Sequence, residues 1–280
     1  MKIINLIENT EGCSGCAYAH GLSFYVETKK HKLLLDLGPS QETIQNAEAL
    51  SIDLASVDTV ILSHGHYDQS GGIIPFSKVN DKAMIYMQES AVDDYFADDG
   101  IDAPVRFRYI GIDKNIANLP QVRFLHGDTT IDDELEVFVI RKRNHELPST
   151  NKNLLVRSGD EYMRDDFRHE HFLVIRQEGK SILMSGCAHN GILSILDAYR
   201  EKYGTAPDIV VSGFHLMKKT DYLDSEIEDI KTIANELKKY PTRFVTCHCT
   251  GTTAFEVMKD IMGDTLEYVH SGEKINVFRE

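Results

Sequence analysis

Short apolar runs at residues 59–62, 181–184, 209–211 and 244–246 each lead into a polar turn that holds a histidine: His64, His189, His215 and His248. Near-continuous runs of β-branched and aliphatic residues are the mark of strands buried on both faces. Helical apolar spacing follows three of the four runs. Strands alternating with helices specify an α/β architecture, whose ligand sites gather beyond the carboxyl ends of the strands. One histidine at such a place is best read as a satisfied structural residue. Four at equivalent places point to a metal site.

The first run is the densest. His64-Gly65-His66-Tyr67-Asp68 puts two imidazoles and a carboxylate within five residues, and Gln69-Ser70-Gly71-Gly72 follows. Imidazole and carboxylate are borderline-to-hard donors that suit zinc, iron or manganese. Gly65 lets the backbone turn so that both rings can face one point. A bare His-x-His would carry little weight in a chain with twelve histidines. The preceding strand, Asp68 and the Gly-Gly pair shift the reading to a catalytic metal centre.

At 280 residues, 42% hydrophobic and 26% charged, the chain has room for a sizeable core, and no linker or repeat divides it. A single domain over residues 1–280 is expected. No apolar run approaches the ~18 residues of a membrane span. The formal charge of -14 is scattered along the chain, with no basic stripe for a nucleic acid. The first residues read as a strand, not an export leader. With five cysteines, an odd number, the chain suits a reducing, cytoplasmic compartment better than a disulfide framework. Cys13 and Cys16 form a C-x-x-C, read as incidental thiols in preference to a redox pair or half a metal site. Cys187, Cys247 and Cys249 sit in tight turns beside the histidines, as buried small hydrophobes or as a thiolate ligand.

Taken in order, strands are expected at 2–7, 22–28 and 33–36. A helix over 41–50, capped by Ser40, and strands at 59–62 and 83–87 follow. Residues 91–95 read as a short helix, and 105–110, 122–125 and 135–140 as strands. The polar stretch 141–167 is long for a loop, which marks a lid or an unrecognised element. A hairpin at 172–184 comes next, then a helix from 192 to 202 and strand 209–211. A helix over 223–240, strand 243–246, a helix at 252–262, and strands near 265–270 and 274–278 close the chain.

The residues 64–69 resemble the His-x-His-x-Asp-His signature of the metallo-β-lactamase-fold hydrolases, with Gln69 in place of the last histidine. HGLS at 20–23, SHGHYDQSGG at 63–72, HE at 169–170, GCAHNGI at 186–192, GFHL at 213–216 and CHCTG at 247–251 are similar to the dihydropterin-ribofuranosylaminobenzene-phosphate-synthase-like group of that superfamily. These motifs span nearly the whole chain. Asp36-Leu37-Gly38 also resembles a D-x-G element of the superfamily.

The resemblance implies an αββα four-layer sandwich and a divalent metal, zinc first, as one ion or two. His64, His66 and His189 are implied as ligands of one ion, and Asp68 and His248 of a second. Gln69 weakens that second site, because an amide oxygen is a poorer donor than imidazole. Asp68 is expected to bind metal or orient water. His215 is expected to bind an anionic substrate group or donate a proton, with a purely structural role as the alternative. His20 and Gln69 are expected near the substrate, and Glu170 reads either as an exposed residue or as a group that orients a ligand ring. The expected activity is hydrolysis of a small ester, phosphoester or related molecule. Transferase-like joining of a pterin unit to a ribosyl-aminobenzene phosphate is the rival within enzymes. A binding protein with a degenerate second metal site is the rival from outside them.

Overall fold

In the computed structural model, which describes residues 1–277, the chain begins with an antiparallel meander, β1 (Lys2–Ile7), β2 (Ser23–Glu27) and β3 (Lys32–Leu35). Then come α1 (Glu42–Ala49), β4 (Thr59–Ile61), the single turn α2 (Tyr67–Ser70), α3 (Ile73–Val79) and β5 (Met84–Gln88). The middle is strands joined by 3-10 turns: β6 (Asp94–Asp98), β7 (Phe107–Tyr109), β8 (Val122–Leu125), β9 (Thr129–Thr130), β10 (Leu135–Phe138), β11 (Leu154–Ser158) and β12 (Glu161–Arg164). The last part alternates: β13 (Phe172–Gln177), β14 (Lys180–Met184), α4 (Ile192–Tyr203), β15 (Ile209–Ser212), α5 (Asp224–Leu237), β16 (Arg243–Thr246), α6 (Thr252–Met262), β17 (Leu266–Tyr268) and β18 (Lys274–Ile275). Two seven-stranded sheets result, ordered β18-β1-β2-β3-β4-β5-β8 and β17-β16-β15-β14-β13-β10-β9. A smaller four-stranded sheet, β12-β11-β6-β7, stands beside them.

The period of two along each strand sets the layers. Leu33, Leu35 and Ile61 of the first sheet meet Leu173, Ile175, Ile182 and Val211 of the second in one buried cluster. Their neighbours Leu34, Val60 and Ile85 face the other way, onto Ile44 and Ala47 of α1 and Ile73 and Phe76 of α3. On the far side Val174, Leu183, Val210 and Phe244 lie under Ile195 and Leu196 of α4, Ile230 and Ala234 of α5, and Met258 of α6. Both faces of both sheets are therefore buried, as the continuous apolar runs require. The order of layers is helix, sheet, sheet, helix, the expected αββα sandwich. Each fully buried Leu or Ile in it contributes roughly 1.5–3 kcal/mol. α4 ends where Gly204 takes a left-handed conformation (φ 73) and returns its N–H to the Arg200 carbonyl.

Several expected elements differ. Residues 91–95 are not a helix: a 3-10 turn at Glu89–Val92 gives way to β6. Tyr95 pairs there with Val156 of β11, a partner far along the chain that no local pattern reveals. The stretch 141–167 contains a 3-10 turn at Ser149–Asn153 and the β11–β12 hairpin, so it held elements the sequence reading missed. Ser40 does not occupy the cap of α1; Gln41 does, and Ser40 Oγ only receives the Glu42 N–H at 3.4 Å. The final strand is the two residues Lys274–Ile275, and residue 278 of the expected strand lies outside the described residues.

Candidate metal centre

β4 of the first sheet and the parallel trio β14, β15 and β16 of the second carry the site in the loops that follow them. Past β4, Ser63 leads to His64 and His66, both buried. Past β14, the turn 185–191 brings in His189, also buried. The three ring centroids stand 4.7 Å (His64–His66), 4.8 Å (His64–His189) and 4.8 Å (His66–His189) apart. One ligand nitrogen of each lies within 4.8 Å of the other two. Each Nε2 is buried and has no hydrogen-bond partner among the described residues. A buried polar atom without a partner costs about 1–3 kcal/mol and is rare. His66 Nε2 lies 4.0 Å from Asp165 Oδ2, and one nitrogen on each of the three rings can close on a shared ion, as a metal's ligand shell requires. The residues present fit the ion.

The other ring nitrogens are held. Ser63 donates its hydroxyl to Asp36 Oδ2 at 2.7 Å and its N–H to Asp36 Oδ1 at 2.7 Å, so its oxygen is left to accept from His64 Nδ1 at 2.8 Å. His189 Nδ1 donates to Asn151 Oδ1 at 2.9 Å, and Asn151 Nδ2 returns to the His189 carbonyl at 2.7 Å. Both rings thus carry their proton on Nδ1 and present Nε2 as a lone pair. Phe167 stacks on one face of His189 (4.8 Å, 4°), and His215 covers it at 4.1 Å. Burial, then the neighbouring rings, hold His64 and His189 well below an ordinary histidine, and His66 is lowered to about 4. Neutral imidazole is the ligand form. Burial also pushes the Asp36 carboxyl up to about 8, against the two hydrogen bonds from Ser63.

Glycines make the room. A Cβ on Gly65 would lie 2.5 Å from the Ala91 carbonyl oxygen and 2.9 Å from Tyr95 Cε2. The backbone bends at Gly65 as expected, without a positive φ, and the residue serves close packing there. A Cβ on Gly186 would lie 2.2 Å from Ser63 Oγ and 2.8 Å from Asp36 Oδ2. Gly186→Ala is accordingly expected to displace the support of His64 and weaken metal affinity about 10–100-fold. Competition against a chelator of known affinity measures this; an unchanged affinity would remove Ser63 from the list of orienting groups.

Asp68 and Gln69 lie on α2, beside the three histidines. Asp68 Oδ2 is 3.3 Å from His248 Nε2 and 3.7 Å from His20 Nε2. Burial works against the Asp68 carboxylate, yet its hydrogen bond to His248 and the nearby His20 and His66 rings hold it well below the usual range. Glu8 Oε2 receives the His248 N–H at 2.9 Å, and Asn9 Oδ1 stands 2.7 Å from His248 Nδ1. Ala188, His215 and His248 have positive φ of 54, 50 and 51. Non-glycine residues pay about 1–3 kcal/mol each for that region, and such strain collects at functional sites.

The sequence-derived residues therefore fall into two groups. His64, His66 and His189 converge as one set of donors. Asp68, Gln69 and His248 form an adjoining set, with His20 half-exposed above it, its ring 5.1 Å from that of His248. His215 stands beside His189, with its Nδ1 buried and unpartnered among the described residues. Glu170 is not exposed and touches no ring of the triad by hydrogen bond. It is buried and receives the N–H groups of His189 at 2.7 Å and Asn190 at 2.8 Å. All five cysteines are free; Cys13 and Cys16 pack against Gly272, whereas Cys187 and Cys249 line the cleft.

Sequence reasoning missed Glu8, Asn9, Asn151, Asp165 and His169. His169 Nδ1 accepts the Gly65 N–H at 2.9 Å, so its Nε2 donates to Asp165 Oδ2 at 3.0 Å. With both nitrogens engaged, His169 positions the His64–His66 loop. Only the HE pair at 169–170 offered a signal for it.

Two of the triad, His66 and His189, open onto a cleft of about 610 Å³, lined also by Asp68 and His215 together with Arg108, Lys218 and Lys219. An adjoining hollow of about 410 Å³ shares these three cations and adds Lys152. Arg108 and Lys218 are paired there with Asp99 and Glu226, and Lys152 and Lys219 add positive charge at the mouth.

Fold and donor set together define a metal-dependent class, and residues 19–199 match the metallo-beta-lactamase superfamily, to which the chain belongs. It is 28% identical over 297 residues to the 7,8-dihydropterin-6-methyl-4-(beta-D-ribofuranosyl)-aminobenzene-5'-phosphate synthase of Methanocaldococcus jannaschii, across 98% of this chain and 96% of that one. The crystal structure of Tm1679, a metal-dependent hydrolase of the beta-lactamase superfamily, is 28% identical with a TM-score of 0.81, over 99% of each chain. Zn(2+)-bound PqqB from Methylobacterium extorquens shares the fold at 13% identity and a TM-score of 0.61, over 99% of this chain and 100% of that one. No helix among the described residues is long and apolar enough to cross a membrane.

Proposed function

We propose that the chain is a metal-dependent hydrolase of a small ester, phosphoester or related molecule that carries an anionic, phosphorylated arm. The observation that carries this reading is the cluster of three buried imidazoles beside a cleft whose mouth carries Lys152 and Lys219. His64, His66 and His189 would hold the ion, zinc by preference, with iron and manganese suited to the same donors. A divalent ion held there supplies Lewis acidity, bringing the pKa of water towards about 7 and polarising the attacked carbonyl or phosphoryl oxygen.

The chain's own groups do the rest. Asp68, kept ionised, orients the attacking water and accepts its proton. His215, beside His189 in the cleft wall, gives a proton to the leaving group. His20 meets the substrate at the mouth, while Arg108, Lys152, Lys218 and Lys219 draw in the anionic arm.

Metal analysis of the natively purified protein, followed by an ester and phosphoester screen, tests the reading. A fully metallated protein that turns over no ester would sink it. Reversing the exposed pair, Lys152→Glu with Lys219→Glu, is expected to raise KM for a phosphorylated substrate about 10-fold at low salt, with metal content unchanged. An unaltered KM would remove the phosphorylated arm from the proposal.

The similarity to the Methanocaldococcus synthase favours a second reading, joining of a pterin unit to a phosphorylated ribosyl aromatic amine. Product formed only when both components are present would select it. Tight ligand retention without turnover would select a binding protein instead.

A further inference from the structure

Three donors that would hold a second ion are already engaged by one side chain. Gln69 Nε2 lies 3.1 Å from Asp68 Oδ2, 3.2 Å from His248 Nε2 and 3.5 Å from Cys187 Sγ. Gln69 is completely buried, and so are Cys187 and His248 apart from traces of surface. Amide oxygen and nitrogen are told apart by their partners, and the network orients this one. Asn9 is fixed by backbone groups, its Oδ1 receiving the Gly21 N–H and its Nδ2 donating to the His248 carbonyl. Asn9 Oδ1 then receives His248 Nδ1–H at 2.7 Å, and His248 Nε2 faces Asp68 Oδ2 at 3.3 Å. The two N–H groups of the Gln69 carboxamide go to Asp68 Oδ2 and Cys187 Sγ, which places its nitrogen beside His248 Nε2. Among the described residues the Nε2 atoms of His64, His66 and His189 have no hydrogen-bond partner.

We propose that the Gln69 carboxamide nitrogen stands in the place of a second metal ion, so that this chain binds one ion at His64, His66 and His189, and Gln69 holds Asp68 through its amide N–H. This rests on the hydrolase reading above and deepens it. Gln69 is a positioning residue here: its NH2 holds the Asp68 carboxylate in place beside the single ion. Cys187, and Cys249 whose sulfur lies within 4.8 Å of the Cys187 sulfur and of a His248 nitrogen, then line this pocket as free cysteines rather than as ligands.

Titration of the metal-stripped protein with Co(II), followed by optical spectroscopy and metal analysis, tests the proposal without reference to activity. The wild type is expected to saturate near one ion per chain, with no sulfur-to-cobalt charge-transfer band. Gln69→His, and the near-isosteric Gln69→Glu should the first fold poorly, both exchange the NH2 for a donor and are expected to take about two ions. Their first equivalent should keep the wild-type ligand-field spectrum, which shows that the triad is intact. A wild type that takes up two ions overturns the proposal, and a charge-transfer band with the second ion would assign that ion to Cys187 or Cys249. Variants that stay at one ion with the wild-type first spectrum overturn it as well. A wild type that binds no ion overturns the hydrolase reading, and this inference falls with it.

Discussion

Replacing His64 with alanine is expected to remove most of the bound metal and to lower kcat/KM by at least about 100-fold, the upper end of what is lost when only an orienting partner of a ligand is removed. The loss follows from geometry. His64 Nε2 is buried and unpartnered among the described residues within the three-histidine cluster, and its Nδ1 ends a chain of hydrogen bonds through Ser63 to Asp36. His64 lies outside the apolar clusters between and around the sheets, so the fold should survive. Metal analysis and kinetics on folded protein measure both effects. A variant that stays fully metallated and active would refute the site.

Glu170→Ala should instead cost stability, by about 3 kcal/mol or more in denaturant unfolding. The carboxylate receives the His189 N–H at 2.7 Å, the Asn190 N–H at 2.8 Å and Asn190 Nδ2 at 2.8 Å, all in the interior. Alanine orphans these donors, at about 1–3 kcal/mol for each that finds no water. Glu170→Gln keeps one acceptor and should lose less. The pH dependence has a definite sign. Burial raises the folded Glu170 carboxyl above its ordinary 4.5, and the hydrogen bonds from Asn190 and His189 oppose that. The folded state then keeps its proton to higher pH than the unfolded state, so this group's contribution falls as pH rises above 4.5. Glu170→Gln should lack that part of the slope. A Glu170→Ala protein as stable as wild type would show that the turn 185–191 holds His189 without this carboxylate.

The four strand ends were legible because each is a local pattern, an apolar run meeting a histidine, and the layers follow from alternation within those runs. The groups that orient the ligands were not legible. Asn151 reaches His189 from 38 residues away, and Glu8 and Asn9 reach His248 from about 240, so no spacing rule connects them. Glu170 reads locally as a solvated acid because only the folded chain buries it. Residues 91–95 read locally as a helix for the same reason, since β11, the partner of β6, lies some 60 residues on. Gln69 was legible as an anomaly at position 69, but its contacts with Asp68, His248 and Cys187 needed the second sheet.

His64 and His66 hang from the first sheet and His189 from the second, so any ion these three rings hold is a rivet through two sides of the sandwich. Binding of this kind adds to folding free energy by mass action, about 4 kcal/mol at a thousandfold excess over the dissociation constant. Elsewhere the seam between the sheets is closed by packing along the cluster of Leu33, Leu35, Leu173 and Ile175 and by hydrogen bonds such as Asn5 Nδ2 to the Val269 carbonyl and the Lys29 N–H to Gln177 Oε1. Metal supply would then govern how long the protein survives proteolysis as well as how fast it works, and starvation for the ion would cull the protein along with its activity.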